Sequence, residues 1–581
     1  MSDPSGPRFS NPMKVCDIVL KGGITSGVVY PLALVSLAEE YRFAKIGGTS
    51  AGAIAAAAAA AAEYGRHTET AGFHRLTQVP NEIGPDLLSL FQPTPTLKPL
   101  FDILVASLRA KTPFHKATTI VRSLFDSYWR SALLGASAGL LIIVAALIFG
   151  GGAGFVGLGL LAAVIGAVIA IIVRLIQAIR IDLPKNDFGI CTGIRQAGFS
   201  REAFTDWLAR LIDEAAGRKS GQDAPLTFGE LARPPQNHPP IELAMMTTSL
   251  MERRPYTLPM TNRQFVFEKA EWGKLFPAHI MTFLTERCDR FEPQAGESGE
   301  YYYFPDADRL PLIVGARMSL SFPGLITAVP LWRRDFTFAE DSERNKLRRC
   351  LFSDGGLSSN FPIHFFDRLL PTSPTFAISL DEFDPRRNVE GNVWLPESAG
   401  GGIELPVRPF EGVLGFLMRL LDSAKDWQDN LQSTLPGYRE RIVHVALKPD
   451  EGGLNLAMEE DTIRKLVGYG EEAAQTLRAK FDFDAHRWRR FLVAMARMEE
   501  TLDDVATAYE DVSQGTEPFA DFLARYAEDP DHYKQDRATL AAILARGKEL
   551  AANGDNWRTA PTIRGGRIPK PATNLRISPK P

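Results

Sequence analysis

The chain has 581 residues, more than one hydrophobic core usually organises, so two or three folding units are expected. Hydrophobic residues at 45%, charged residues at 23% and a net charge of −4 describe a folded protein and supply no basic excess that would call for nucleic acid. Cys16, Cys191, Cys288 and Cys350 stand far apart with no C-x-x-C pair, which argues against a disulfide framework or a zinc site and for buried, reduced thiols.

Met1 to Pro12 is polar and proline-punctuated, with no basic stretch leading into an apolar run, and no cleavable signal peptide is expected there. Val15 to Leu20 is β-branched and apolar, a buried strand that breaks at Gly22-Gly23. Gly27 to Tyr41 reads as a helix with Pro31 in its first turns. Phe43 to Gly47 reads as the next strand. It runs into Gly48-Thr49-Ser50-Ala51-Gly52 and then an alanine-rich helix through Ala62. A β-α-β unit of this length makes its two strands parallel neighbours, so the Gly22-Gly23 turn and the Ser50 turn are expected side by side at one edge of one sheet.

A helical piece around Leu100 to Leu108 leads into a segment without charge. Ser131 to Phe149 and Phe155 to Val173 are apolar spans of about 19 residues separated by Gly150-Gly151-Gly152-Ala153-Gly154. As helix each covers roughly 28 Å, the hydrocarbon thickness of a bilayer, so a transmembrane hairpin is expected over 131–173. Arg109, Lys111, Lys116, Arg122 and Arg130 precede it, and Arg174, Arg180 and Lys185 follow it. Basic flanks on both sides place both ends in the cytoplasm, with Tyr128 and Trp129 at the interface. Gly152 to Gly157 matches a dinucleotide fingerprint in form only, since neither the preceding strand nor the acidic partner is there. Gly135 and Gly139 form a G-x-x-x-G suited to close helix packing.

Beyond Pro184 the pattern alternates again. Phe204 to Ile212 reads as helix, Ile241 to Ser249 and Arg263 to Phe267 as strands, and Pro311 to Pro323 as a helix. Leu351 to Ser353 is a short strand running into Asp354-Gly355-Gly356, with Phe361 to Leu370 helical beyond it. Phe376 to Leu380 and Ile442 to Leu447 are further strands, and Asp461 to Lys480 closes the domain as a helix. Residues 482–550 are charged and helical, with Trp488, Phe491, Leu492, Met495 and Met498 as an apolar packing stripe. From about 551 to 581 proline, glycine and arginine suggest a flexible tail.

Gly48-Thr49-Ser50-Ala51-Gly52, a serine at a strand-to-helix turn between glycines, has the form of a nucleophile elbow; a Gly/Ser loop without chemistry is the alternative. Such a serine needs a base and donors for an oxyanion. The Gly22-Gly23 turn at a helix start and the N–H of Ala51 are candidate donors. Among the histidines, His238, His364 and His444 stand in no distinctive motif and read as structural. Asp354, directly after a strand and before two glycines, can serve as base without a histidine, or be an ordinary Asp-Gly turn.

Together these pieces resemble the patatin-like phospholipases. The resemblance rests on Gly48 to Gly52, the upstream glycine turn, and Asp354-Gly355-Gly356-Leu357 followed by Asn360 and Pro362. It also takes in Gly189 to Gly193, Ser319 to Pro330 and Asp450 to Leu477. It implies a three-layer α/β/α sandwich with a mainly parallel sheet over 14–130 and 185–481, carrying the hairpin as an insertion and 482–550 as a helical extension. It implies Ser50 as nucleophile, Asp354 as the group that activates it, and Gly22 and Gly23 as oxyanion-hole backbone. Gly27, Gly48, Gly52, Gly355 and Gly356 are the motif glycines. No metal or cofactor is implied. The family's glycine motif commonly reads G-G-G-x-[RK]-G, whereas this chain has Ile24 at the third glycine and Ser26 at the basic position, with Lys21 as the nearby substitute for the lost charge.

The expectation is a membrane-bound lipid acyl hydrolase with its catalytic domain on the cytoplasmic side, acting on a phospholipid or another acyl ester. The alternatives are an acyltransferase, or a non-hydrolytic scaffold that binds lipid, or a protein through 482–550.

Overall fold

The structure, a computed structural model, describes residues 9–573 apart from 10–11, 24, 69, 85, 110–112, 236–237, 262, 295–296, 390, 397–400, 408, 411, 454, 511–516, 531 and 572. Six strands organise it: β1 (Lys14–Leu20), β2 (Tyr41–Gly48), β3 (Glu242–Ser249), β4 (Leu347–Asp354), β5 (Thr375–Glu382) and β6 (Ile442–Leu447). They lie in the order β6-β5-β1-β2-β3-β4 within one twelve-stranded sheet. From β6 to β3 the neighbours are parallel, as the β-α-β reading of the N-terminus requires. Beyond them the sheet continues antiparallel, through Val329–Arg334, Val266–Glu268, Tyr301–Tyr303 and Arg290–Phe291.

One local arrangement decides where the chemistry lies. Met245 of β3 pairs with Gly48 of β2 and with Leu258 of the strand Arg254–Leu258, so those two partners occupy opposite edges of β3. Thr247 pairs with Tyr256 of that same strand and with Asp354 of β4. A residue in a sheet has two edges, so β2 and β4 share one edge of β3. Running parallel and antiparallel to it respectively, they meet end to end, C-terminus against C-terminus.

Alternation along the strands separates two cores. Ile18 and Leu20 of β1 and Phe376 and Ile378 of β5 belong to the large core, with helices α1 (Tyr30–Ala38) and α2 (Ala51–Tyr64). The alanines of α2 are strong helix formers with small side chains, and they let it settle against Phe204–Ala215 and Leu312–Ser319. Val19 and Ala377 face the other way, onto Phe361, Ile363 and Phe366. No helix forms over Phe361 to Leu370, contrary to the sequence expectation. The N–H groups of Asn360 and Phe361 are taken by the Asp429 carboxylate, and the three apolar side chains line one sheet face from an irregular backbone.

The uncharged spans form α3 (Pro113–Ile148) and α4 (Ala153–Gln177), which turn around at Gly150–Gly152. Both are long and apolar enough to cross a membrane, and most of their side chains are not covered by the rest of the chain. They pack on each other through small residues. A Cβ on Gly135 would come 2.2 Å from the carbonyl oxygen of Gly166, and one on Gly139 would come 2.1 Å from the Ala163 nitrogen, so the G-x-x-x-G does bring the helices together. Trp129 is exposed and Arg130 lies over its ring, while Tyr128 is buried at a break in helical geometry. Of the basic flank, Lys111 lies outside the described residues, and so do the side chains of Arg109 and Lys116.

After α5 (Gly412–Ser433) and α6 (Glu460–Lys480), the extension consists of α7 (Phe483–Glu510), Phe519–Tyr526 and α8 (Arg537–Arg558). Two expectations change here. Of the stripe expected to pack, Trp488 at 59%, Phe491 at 42% and Met498 at 38% are exposed and Leu492 and Met495 are half-buried, while Arg490, Val493, Ala494, Leu502 and Ala506 lie on the buried side of α7. The tail begins later than 551, because α8 continues to Arg558 with Ala551 and Gly554 buried, Gly554 against the Leu502 carbonyl.

Candidate active site

β2 ends at Gly48 and α2 begins at Ala51, so Ser50 has to reverse the chain within a residue or two. Its backbone pays for this with φ 55° and ψ −128°, a region that side chains of L-residues seldom enter. The flanking glycines are needed for close approach. A Cβ on Gly48 would meet the Gly52 carbonyl oxygen at 2.4 Å, and one on Gly52 would meet the Leu20 carbonyl oxygen at 2.2 Å. The turn thus binds β2, α2 and the end of β1 into one unit, and the Ser50 N–H donates to Ser319 Oγ at 3.1 Å.

The end-to-end meeting of β2 and β4 brings Asp354 to this serine. Ser50 Oγ lies 2.7 Å from Asp354 Oδ2 and 2.8 Å from the carbonyl oxygen of Gly23, two acceptors for its single proton. Asp354 is held on every side. Its N–H donates to the Ser321 carbonyl at 3.0 Å, its own carbonyl accepts from Thr248 Oγ1 at 3.0 Å, and its Oδ1 accepts the Gly356 N–H at 2.6 Å. Burial pushes its carboxyl up to about 6, against the opposing pull of the Ser50 and Gly356 hydrogen bonds and the Lys425 charge. A carboxylate poised there is ionised at neutral pH yet basic enough to share a serine proton.

The glycine turn lies where expected but is closed. Gly22 donates its N–H to the Asn360 carbonyl at 2.7 Å, and Ala51 donates to the Gly23 carbonyl at 3.3 Å. The Gly23 oxygen therefore stands between the serine hydroxyl and the Ala51 N–H, in the place an oxyanion would occupy. Ser50 and Asp354 are each only 3% exposed, and the open cleft of about 840 Å³ lined by Arg195, Glu202, Asp206, Lys269, Phe276 and Glu300 contains neither. Gly27 packs against Ala51, and Gly355 and Gly356 form the 3-10 turn after Asp354. Ile24 lies outside the described residues, and Ser26 is buried beside Gly23 and Gly452.

Lys21 does not supply the missing charge to the turn. Its ammonium pairs with Asp381 at 3.1 Å and donates to Ser379 at 3.2 Å. Asp381 also holds His444 Nδ1 at 2.6 Å, and that imidazole is stacked on Trp394. His238 stacks near Tyr64, so neither histidine meets Ser50. All four cysteines are free and buried.

Sequence reasoning missed Ser319, Thr248 and above all Asp429. The carboxylate of Asp429, on α5, accepts from Ser359 Oγ at 2.8 Å and from the N–H groups of Asn360 and Phe361 at 2.6 and 2.9 Å. In the sequence it is one more acidic residue on an amphipathic helix, with no motif around it.

No protein-family model matches the sequence. The chain is 34% identical to a protein of Rhizobium meliloti (strain 1021) described as an RpoH suppressor, over 98% of this chain and 99% of that one. Among solved structures it is similar to VipD from Legionella pneumophila, with a TM-score of 0.30 and 12% identity over 94% of this chain and 86% of VipD. It is also similar to full-length ExoU of Pseudomonas aeruginosa, solved with SpcU, with a TM-score of 0.24 and 14% identity over 94% of this chain and 80% of that one.

Proposed function

The chain belongs to the same family as the RpoH suppressor of Rhizobium meliloti, and from its site we propose that it is a membrane-associated serine lipid acyl hydrolase of patatin-like type. The observation that carries this reading is the buried contact between a serine on a strained strand-to-helix turn and a single carboxylate at the end of the abutting strand, 2.7 Å away. Ser50 Oγ attacks the ester carbonyl while Asp354 accepts its proton. The proton then passes to the leaving alcohol, and water, deprotonated by the same carboxylate, releases the acyl group from Ser50. This reading assigns the N–H groups of Gly23 and Ala51 as donors for the oxyanion, Ala51 serving once the Gly23 carbonyl has turned away from the serine, while the Gly22 N–H stays on the Asn360 carbonyl.

The location follows from the hairpin. Eighteen large apolar side chains between Leu133 and Val173 are exposed on the chain itself. Moving such side chains from water into an apolar surrounding is worth up to roughly 1.5–3 kcal/mol each, tens of kcal/mol together, which favours a bilayer over water for the hairpin. Lipid is the cover this reading assigns, with the catalytic unit on the cytoplasmic side beside an amphiphilic substrate.

Replacing Ser50 or Asp354 by Ala is expected to abolish hydrolysis across a panel of lipid esters with folding intact. Activity that persists in Ser50→Ala overturns the proposal. The occupied turn donors favour one second reading, a lipid-binding scaffold that does not hydrolyse, and reaction with a fluorophosphonate separates the two, since only an activated serine is labelled.

A further inference from the structure

We propose that Asp429 is the positioning residue of this site, a proposal that rests on the hydrolase reading above. Three separate segments must stay in register for Ser50 and Asp354 to act together: the glycine turn, the nucleophile turn and the stretch that follows Asp354. One carbonyl joins them. The Asn360 oxygen accepts the Gly22 N–H at 2.7 Å and the Thr49 hydroxyl at 3.1 Å, the residues immediately before Gly23 and Ser50. Nothing in regular secondary structure holds Asn360 itself, since 358–364 is neither helix nor strand. Its hold comes from Asp429, 5% exposed, whose two oxygens take the Ser359 hydroxyl and the N–H groups of Asn360 and Phe361. The carboxylate satisfies three donors at once, and its bond to the Phe361 N–H, on the same peptide as the Asn360 carbonyl, fixes that carbonyl toward both reacting turns.

The chemistry of the contact predicts which substitution is tolerated. An asparagine at 429 can accept both N–H groups on its Oδ1 and donate its amide to the Ser359 hydroxyl, which accepts as readily as it donates. Alanine leaves all three donors unpaired. The second-order rate constant for fluorophosphonate labelling of Ser50, together with kcat and KM on one ester, is compared in full-length parent, Asp429→Asn, Asp429→Ala and Ser359→Ala in detergent.

For Asp429→Ala we expect labelling and kcat to fall on the order of a hundredfold with KM little changed, the cost of misplacing reacting groups by about 1 Å. Asp429→Asn should stay within about tenfold of the parent, as should Ser359→Ala, which forfeits a single hydrogen bond. If Asp429→Ala does not fold, an Asp429→Asn protein as impaired as Ser50→Ala overturns the hydrogen-bond account. Labelling of Asp429→Ala as fast as the parent overturns the positioning role while leaving the hydrolase reading intact. A parent that is not labelled overturns both.

Discussion

Asp354 carries two opposed demands in one carboxyl group. Burial holds its pKa at about 6, above the ordinary 3.8, so hydrolysis is expected to rise as the pH passes upward through about 6 and to level off above it. A pH–rate profile flat across that region counts against Asp354 as the base. The same shift costs stability. A carboxyl that holds its proton more tightly when folded contributes fully below its unfolded pKa and loses that contribution as the pH rises through the folded one. At pH 8 Asp354→Asn is therefore expected to be inactive and more resistant to urea than the parent, by on the order of 2–3 kcal/mol. Ser50 and Asp354 were legible in the sequence because the turns that present them need glycines at fixed offsets. Asp429 was not, because its three partners lie about 70 residues away along the chain and meet it only in the fold.

Among the elements, those with a strong local cause were read correctly and those that borrow their shape from neighbours were not. β1, β2, β5 and β6 are short apolar runs between breakers, and the structure has them within a few residues of the expected bounds. Phe361 to Leu370 has helical composition, yet its apolar residues are drawn onto the sheet from an irregular backbone whose Asn360 and Phe361 N–H groups are held by Asp429. The stripe on α7 misled for a different reason. Much of the buried side of that helix is small or charged, Ala494, Ala496 and Ala506 with Arg490, which pairs with Asp367 at 2.8 Å, and hydrophobic periodicity gives such residues little weight. Within the hairpin the small residues do the packing, so Gly139→Leu is expected to force α3 and α4 apart. Faster proteolysis of the detergent-solubilised variant between the two helices checks this; an unchanged cleavage rate counts against the close packing.

For the whole molecule, the proposed placement predicts a clear partition: the protein stays with membranes through an alkaline carbonate wash and enters solution only with detergent. Recovery in the carbonate supernatant would mean that the hairpin does not span the bilayer. The hairpin also connects to the site through the body of the protein. Gly189–Cys191, soon after α4, pairs with Gly324–Ile326. The buried Arg317 bonds to the Thr192 and Thr327 carbonyls and to Ser321 Oγ, and the Ser321 carbonyl accepts the Asp354 N–H.

The abutment of β2 against β4 sets unequal tolerances to changes of length. Nearly 300 residues separate Thr49 from the Leu347 that opens β4, and because both strands register on β3 rather than on each other, an addition to a connecting loop in that interval, outside β3 itself, leaves the two chain ends where they are. A hairpin could enter, or a loop could grow, without the serine and the aspartate drifting apart. A single residue added inside β2 or β4 is another matter. It would carry one end past the other and turn the last side chain to the opposite face of the sheet. The spacing between the two motifs is thus free to vary, while the length of each strand that delivers them is not.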